Sequence, residues 1–267
     1  MKRNITIQTE ASNTDELQSI AEKYASARNY FCSRYGGPKS LHALYHHREM
    51  IRDVLIAEGI CGQWGLSARY WKLALDESVS CLKSLWSNAK RSVKQALKHN
   101  KNVQDEERHY LYSVMSDPEK LTAVLCHSKE MQETKAVISP ERVPYLHNLL
   151  CRYYRRYRGT TPLSRKKRSF QADTWIYRIN GNDLYVTGLK KGVRLSLKMK
   201  GIVNPSGTIR IVLNNGRAEV HFAADVKASH PQTYKTEAIG VDKGYTSLLA
   251  VSSHKQYGSD LDRKSVM

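Results

Sequence analysis

Cysteine is sparse in this sequence, and its spacing argues against two classes of small cross-linked protein. The cysteines are five in number, and no two of them are spaced as CxxC. A disulfide framework or a structural zinc site would show paired or closely spaced cysteines. We therefore expect reduced thiols, as in a cytoplasmic protein. The residues are Cys32, Cys61, Cys81, Cys126 and Cys151.

Long apolar runs are also missing. No stretch approaches the roughly 20 apolar residues that a membrane-spanning helix needs. The first residues, Met1 to Ile7, lead into alternating polar and apolar side chains and lack the apolar core of a signal peptide. We therefore expect a cytoplasmic, nucleoid-associated protein without a membrane partner.

Acidic residues are too few to balance the basic ones. The 267 residues include 43 lysines and arginines against 25 aspartates and glutamates, a net charge of +18. Such a surplus repels itself in the folded state, so a polyanionic partner is the simplest explanation. Nucleic acid fits best, because each neutralised phosphate releases a bound counterion. A soluble basic protein without such a partner is the alternative.

The residue pattern changes near residue 160 and predicts an α+β fold. After a short opening strand around Ile5, apolar residues recur at helical spacing up to about residue 157. From Asp173 onward, apolar and polar residues alternate between turns such as Asn180-Gly181. This alternation predicts a small antiparallel barrel or a strongly bent sheet. The predicted helices span about 17–31, 41–57, 67–99, 104–115, 118–133 and 140–157.

Two basic runs lie where the helices give way to strands. Arg152 to Arg158 alternates arginine with tyrosine, and Arg165 to Arg168 is entirely basic. Guanidinium groups pair with phosphates, and tyrosine rings stack on unpaired bases, which favours single-stranded or structured RNA. A solvated linker is the alternative, and Arg165 to Arg168 also fits a nuclear localisation signal. The predicted nucleic-acid contacts are Arg152, Tyr154, Arg155, Arg156, Arg158, Arg165, Lys166, Lys167 and Arg168, with Lys90, Arg91 and Lys94 on the longest helix.

Asp242 is the candidate for catalytic chemistry. It follows a short apolar stretch and precedes a tight turn at Lys243-Gly244 and a second apolar stretch. Gly240 and Gly244 leave open space beside the carboxylate. A carboxylate at such a strand end could hold a divalent metal for phosphodiester cleavage. An aspartate in a hairpin turn is equally common for structural reasons.

The segment Ile239 to Gly244 resembles the first RuvC motif of TnpB proteins, transposon-associated RNA-guided nucleases related to type V CRISPR effectors. Tyr177 to Val226 is similar to the family's wedge strands, and Leu66 to Leu97 to the long helix of its recognition lobe. The resemblance covers nearly the whole chain. It implies an OB-like wedge barrel from residues 1–12 and 160–236, a helical recognition lobe at 13–159, and the first hairpin of an RNase H-like (RuvC) domain at 237–267.

The resemblance also implies a function. The wedge and helical lobe would bind a guide RNA and its heteroduplex with target DNA. Asp242 would be the first of three metal-binding carboxylates in an Mg²⁺-dependent nuclease site. The family's later glutamate, second aspartate and four-cysteine zinc ribbon have no match in these residues, so the chain is similar to a family member truncated after its first RuvC motif. Two-metal cleavage needs several converging oxygens, so we expect neither a metal nor cleavage by this chain alone.

Two other hypotheses stay open. The chain could be one piece of a longer or split nuclease, completed by a separately encoded C-terminal part. It could also be an unrelated basic RNA-binding protein, which would bind ribosomal or transfer RNA and would not depend on a transposon-end RNA.

Overall fold

The protein has an α+β fold, as predicted from the change in residue pattern. The computed structural model describes residues 2–11, 14–128, 130–200, 205, 207–214, 216–225, 241–242, 249–251 and 256–257. The chain divides into two compact units, Lys2–Ala224 and Asp225–Met267. All five cysteines are free. No helix in the described residues is long and apolar enough to cross a membrane.

The helices of the first unit follow the predicted order. The longest predicted helix is confirmed, whereas the helix predicted at 41–57 is interrupted by a π-helical turn at Arg48–Arg52. The helix predicted at 118–133 ends at Leu125, because His127 adopts a left-handed backbone with φ of 67°. The helices are α1 (Thr14–Tyr35), α2 (Leu41–Tyr45), α3 (Asp53–Ala57), α4 (Ala68–Lys98), α5 (Asp105–Ser116), α6 (Pro118–Leu125) and α7 (Val143–Tyr157).

One seven-stranded sheet combines the start of the chain with strands that follow the helices. The strand order is β2-β6-β7-β1-β5-β4-β3, so β1 lies in the middle and the helices form an insertion between β1 and β2. Thr9 of β1 pairs with Met199 of β5, and its hydroxyl donates to the Ala218 carbonyl at 2.8 Å. The strands are β1 (Lys2–Ala11), β2 (Ser169–Ala172), β3 (Tyr177–Asn180), β4 (Asp183–Thr187), β5 (Arg194–Met199), β6 (Ile209–Asn214) and β7 (Arg217–Asp225).

The sheet is a curled antiparallel half-barrel and not a closed barrel. The edge strands β2 and β3 are both four residues long, and they are not neighbours in the sheet. Helices α1 and α4 pack against the edge strand β2. The predicted β3–β4 hairpin is confirmed, with Gly181 at φ of 59° in its turn.

Aromatic side chains join the helices to the sheet. Phe170 of β2 is fully buried and lies 6.5 Å from the Tyr24 ring of α1 and 5.8 Å from the Tyr70 ring of α4, measured between centroids. The Tyr70 hydroxyl donates to the Thr187 carbonyl of β4 at 2.6 Å. The first unit therefore has a continuous core through which the sheet fixes α1 and α4.

An ion cluster around Glu77 makes a second connection between helices and sheet. The Glu77 carboxylate accepts from Arg28 of α1 at 3.2 Å and from Arg210 of β6 at 2.9 Å. It also accepts from the Tyr24 hydroxyl at 2.9 Å. Burial, and then the charge of Glu77, raises the pKa of Tyr24, so this hydroxyl stays a donor. The cluster thus joins α1, α4 and β6 through one carboxylate.

A buried histidine in α7 closes a hydrogen-bond chain among the helices. The Ser128 carbonyl can only accept, so His147 Nδ1 carries a proton and donates to it at 3.1 Å. His147 Nε2 is then an acceptor for the Tyr110 hydroxyl at 2.8 Å. Tyr110 already accepts from the backbone N–H of Gln132 at 3.0 Å. Protonation of Nε2 would therefore leave the Tyr110 hydroxyl hydrogen without this acceptor.

Acidification is expected to destabilise the helices through His147. Burial lowers the pKa of His147, so the folded state disfavours its charged form. A histidine with a depressed folded pKa stabilises the protein above its unfolded pKa of about 6.5, and that contribution is lost as pH falls from there. The melting temperature, measured at several values between about pH 7.5 and about pH 5, should fall with pH, because this range includes the ordinary pKa of histidine. In His147→Gln the loss should be smaller; an unchanged pH profile would contradict the assignment.

The second unit contains a three-stranded sheet in the order β10-β9-β8. As predicted from the sequence, Asp242 ends a strand that pairs antiparallel with the next one, with Asp242 opposite Ala250. The side chain of Asp242 and the turn at 243–244 lie outside the described residues. The strands are β8 (Val241–Asp242), β9 (Leu249–Val251) and β10 (Gln256–Tyr257).

Candidate nucleic-acid interface

Helices α4 and α7 bring predicted contact residues from two distant parts of the sequence together. The helices pack side by side, and the Trp86 ring of α4 lies 5.8 Å from the Tyr154 ring of α7. Lys90 of α4 lines one cavity beside this pair, and Arg155 and Arg158 line another. We call Trp86 and Tyr154 the aromatic pair. Cations from both helices therefore flank one aromatic pair.

Tyr154 requires a correction. It was predicted to stack on unpaired bases, but its side chain is 3% exposed and packs on Trp86. The reason is helical geometry, because Val143, Leu146, Leu150 and Tyr154 occupy the buried stripe of α7. That spacing was present in the sequence and would have identified Tyr154 as a core residue.

The first basic run lies almost entirely in a helix, as predicted. Residues Arg152 to Tyr157 are the last turns of α7. Arg152, Arg155 and Arg156 are exposed and stand at positions i, i+3 and i+4, so they share one face of the helix. We call these three side chains the arginine face. A helix presents its cations in a fixed arrangement, which a flexible linker would not do.

Arg158 has a structural role as well as its charge. Its guanidinium lies over the Trp86 ring, 4.8 Å from the centroid, and donates to the Gly36 carbonyl and to the Thr161 hydroxyl. Burial lowers its pKa. It is half-buried, so it borders the arginine face and does not belong to it.

Residues 158–168 form a basic strap along α1. The strap contacts the Gly36 carbonyl just after α1, and the Asn29 and Gln18 side chains within α1. At 1.5 Å per residue, Gly36 to Gln18 corresponds to about 27 Å. The strap therefore extends over a length of several phosphates. Its exposed cations are Arg165, Lys166, Lys167 and Arg168.

The predicted cations of α4 differ in exposure. Arg91 and Lys94 are exposed, and the Lys94 ammonium lies 5.4 Å from the centroid of the Tyr112 ring. Lys90 is half-buried; burial, and then the charge of Lys94, lowers its pKa. No acidic residue occurs between Ser78 and Gln104, so no neighbour in this stretch of the sequence neutralises these charges.

The predicted cations share one property that distinguishes them from many other arginines of this chain. Within the described residues, none of the eleven predicted lysines and arginines forms an ion pair with a carboxylate. Other arginines do, and their charge is satisfied within the fold. The paired arginines are Arg28, Arg34, Arg52, Arg69, Arg108, Arg142 and Arg210.

Asp242 cannot be joined to a metal site from the described side chains. Its backbone lies at the end of β8, and its carboxylate lies outside the described residues. Among the side chains that are described, no three histidine, cysteine, aspartate or glutamate residues form a group that could hold a metal ion. The metal-binding role of Asp242 stays a prediction.

Trp86 is the residue of this region that sequence reasoning missed. It lies in the apolar stripe of α4, and the stripe alone does not distinguish it from the rest of the core. Only the packing of α7 on α4 reveals its position among cations. The chain matches no protein-family model, and a search of curated proteins also found no match.

Proposed function

We propose that this chain binds RNA and DNA through the arginine face, the basic strap and the cations of α4, as the front part of a TnpB-type RNA-guided nuclease. In this proposal the half-barrel sheet is the wedge domain, the helical insertion is the recognition lobe, and β8 and β9 begin a RuvC-like domain. Asp242 would contribute one carboxylate to a magnesium site, which it cannot form alone because Mg²⁺ requires several converging oxygens.

The unpaired cations are the observation that supports the proposal most strongly. A cation without a carboxylate partner is free to pair with a phosphate, and each such contact releases a counterion. These cations lie on helices and on a strap that is hydrogen-bonded to α1, so the backbone that carries them is held in place before binding. A preorganised backbone loses less conformational entropy on binding.

The proposal is tested by the nucleic acid that co-purifies with the protein. We expect a defined structured RNA, whose affinity falls steeply with ionic strength because phosphate contacts dominate. Sequencing the co-purified RNA and measuring its affinity at several salt concentrations check both points.

The alternatives give different results in the same experiment. Recovery of ribosomal or transfer RNA alone would favour an unrelated RNA-binding protein. Magnesium-dependent cleavage of DNA by the isolated chain would contradict the proposed need for further carboxylates. Absence of RNA and DNA binding even at low salt would refute the proposal.

A further inference from the structure

A cavity of about 480 Å³ opens beside the aromatic pair, among α2, α4, α5, α6 and α7. This volume is typical of a site for a small molecule. Its apolar lining comes largely from Leu41, Met115 and Leu121, and polar side chains contribute the remainder. Those polar side chains are Tyr45, His46, Ser87, Lys90 and Ser116.

Two hydrogen-bond donors beside the cavity have no partner. The Trp86 Nε1–H and the Tyr154 hydroxyl are buried, in side chains that are 6% and 3% exposed, and neither has an acceptor within the described residues. Arg158 Nε also has none, and Arg158 lines the other cavity beside the aromatic pair. Buried donors in folded proteins normally have an acceptor. Two donors without acceptors beside a cavity therefore indicate that an acceptor is missing. Among the described residues, the remaining buried side-chain atom without a partner is the Tyr35 hydroxyl, which does not line this cavity.

A cation and an exposed aromatic ring complete the lining. Lys90 is half-buried and lines the cavity, and burial lowers its pKa. An anion beside it would stabilise its charged form and so counteract that effect. The Tyr45 side chain is 56% exposed, so its ring is accessible to a planar ligand. An occupant with acceptor atoms, a planar apolar face and a negative charge would satisfy all of these groups.

We infer that the cavity binds one unpaired nucleotide of the bound strand. The base lies against Tyr45 and accepts hydrogen bonds from Trp86 Nε1 and the Tyr154 hydroxyl, while the phosphate pairs with Lys90. This inference rests on the proposed function, since the nucleotide belongs to the strand held by the arginine face and the strap. It assigns Tyr154 a role at its hydroxyl, although its ring is part of the core.

Titration with the four nucleoside 5′-monophosphates tests the inference. The full chain and Tyr154→Phe are compared by calorimetry, with ribose 5-phosphate as a ligand that has the sugar and phosphate but no base. We expect at least one monophosphate to bind more tightly than ribose 5-phosphate, and Tyr154→Phe to weaken it about fivefold through the lost hydrogen bond. The melting temperature of Tyr154→Phe should be unchanged or higher, because the free protein loses only an unpartnered hydroxyl.

Tyr35→Phe is the matched control, because it also removes an unpartnered buried hydroxyl, but away from the cavity. It should leave both the melting temperature and nucleotide affinity essentially unchanged. Equal binding of ribose 5-phosphate, equal binding by Tyr154→Phe, or a lower melting temperature of Tyr154→Phe would each overturn the inference. If the unsubstituted chain bound RNA but none of the monophosphates, the cavity assignment alone would be refuted. If it bound neither, the proposed function would be refuted as well.

Discussion

Replacing Arg152, Arg155 and Arg156 together with glutamine is expected to weaken RNA binding roughly 100-fold at low ionic strength, from three contacts of about 1 kcal/mol each. The three side chains are exposed and share one face of α7. Glutamine has nearly the same helix propensity as arginine, so α7 should persist. Fluorescence anisotropy with a labelled single-stranded RNA measures the affinity, and circular dichroism checks the fold.

The salt dependence of binding separates direct phosphate contacts from general charge. Each phosphate contact to a single strand contributes about 0.7 to the slope of log K against log salt, so losing three should reduce the slope by roughly 2. A variant that changes only the overall electrostatic field would mainly lower the association rate and would change this slope little. The affinity and its slope should therefore fall together.

A charge-matched control is available on the sheet. Lys190, Lys191 and Arg194 are also exposed, and they lie between β4 and the start of β5. Replacing these three with glutamine removes the same net charge and leaves the arginine face, the strap and the cations of α4 intact. We expect this control to lose much less affinity. An equal loss in both triple variants would show that binding depends on net charge and not on the arginine face.

Local periodicity was sufficient to predict the α+β fold and most of its elements. The stripe from Ala74 to Leu97 predicted α4, and the Asn180-Gly181 turn predicted the β3–β4 hairpin, because both signals depend on nearby residues. Strand β2 was missed, since Ser169–Ala172 is short and directly follows a basic run. The strand pattern predicted a small barrel or a strongly bent sheet, and the structure has the bent sheet, because closure depends on the pairing of distant strands and not on the local pattern.

The candidate interface was predictable in composition and not in arrangement. The basic runs are evident in the sequence. Which tyrosine is buried, however, depends on which face of α7 packs against α4. Trp86 belongs to α4 and Tyr154 to α7, with α5 and α6 between them in the sequence, so no local pattern connects them. The same limit applies to Glu77 and Arg210, whose contact joins a helix to a strand 133 residues later.

Glu77→Gln should be the most destabilising single substitution among the ion pairs described here. Its carboxylate is 13% exposed and is shared by Arg28 and Arg210, which are 11% and 35% exposed. Removing one partner of a buried pair leaves uncompensated charge and typically costs about 3–5 kcal/mol. Because Arg210 is partly solvated, we expect the lower end, about 3 kcal/mol. Chemical denaturation followed by tryptophan fluorescence measures the loss.

The expected loss follows from the position of Glu77 and not from the number of its contacts. Glu58→Gln is the matched control: Glu58 forms two hydrogen bonds of 2.7 Å with Arg34, but this pair is about one-third exposed. Water solvates both charges once that pair is broken, so the control should be far less destabilising. At Glu77 the freed guanidinium of Arg28 has little access to water, and the helices lose a charged connection to β6. Similar losses in the two variants would show that the cluster does not stabilise the helix–sheet junction.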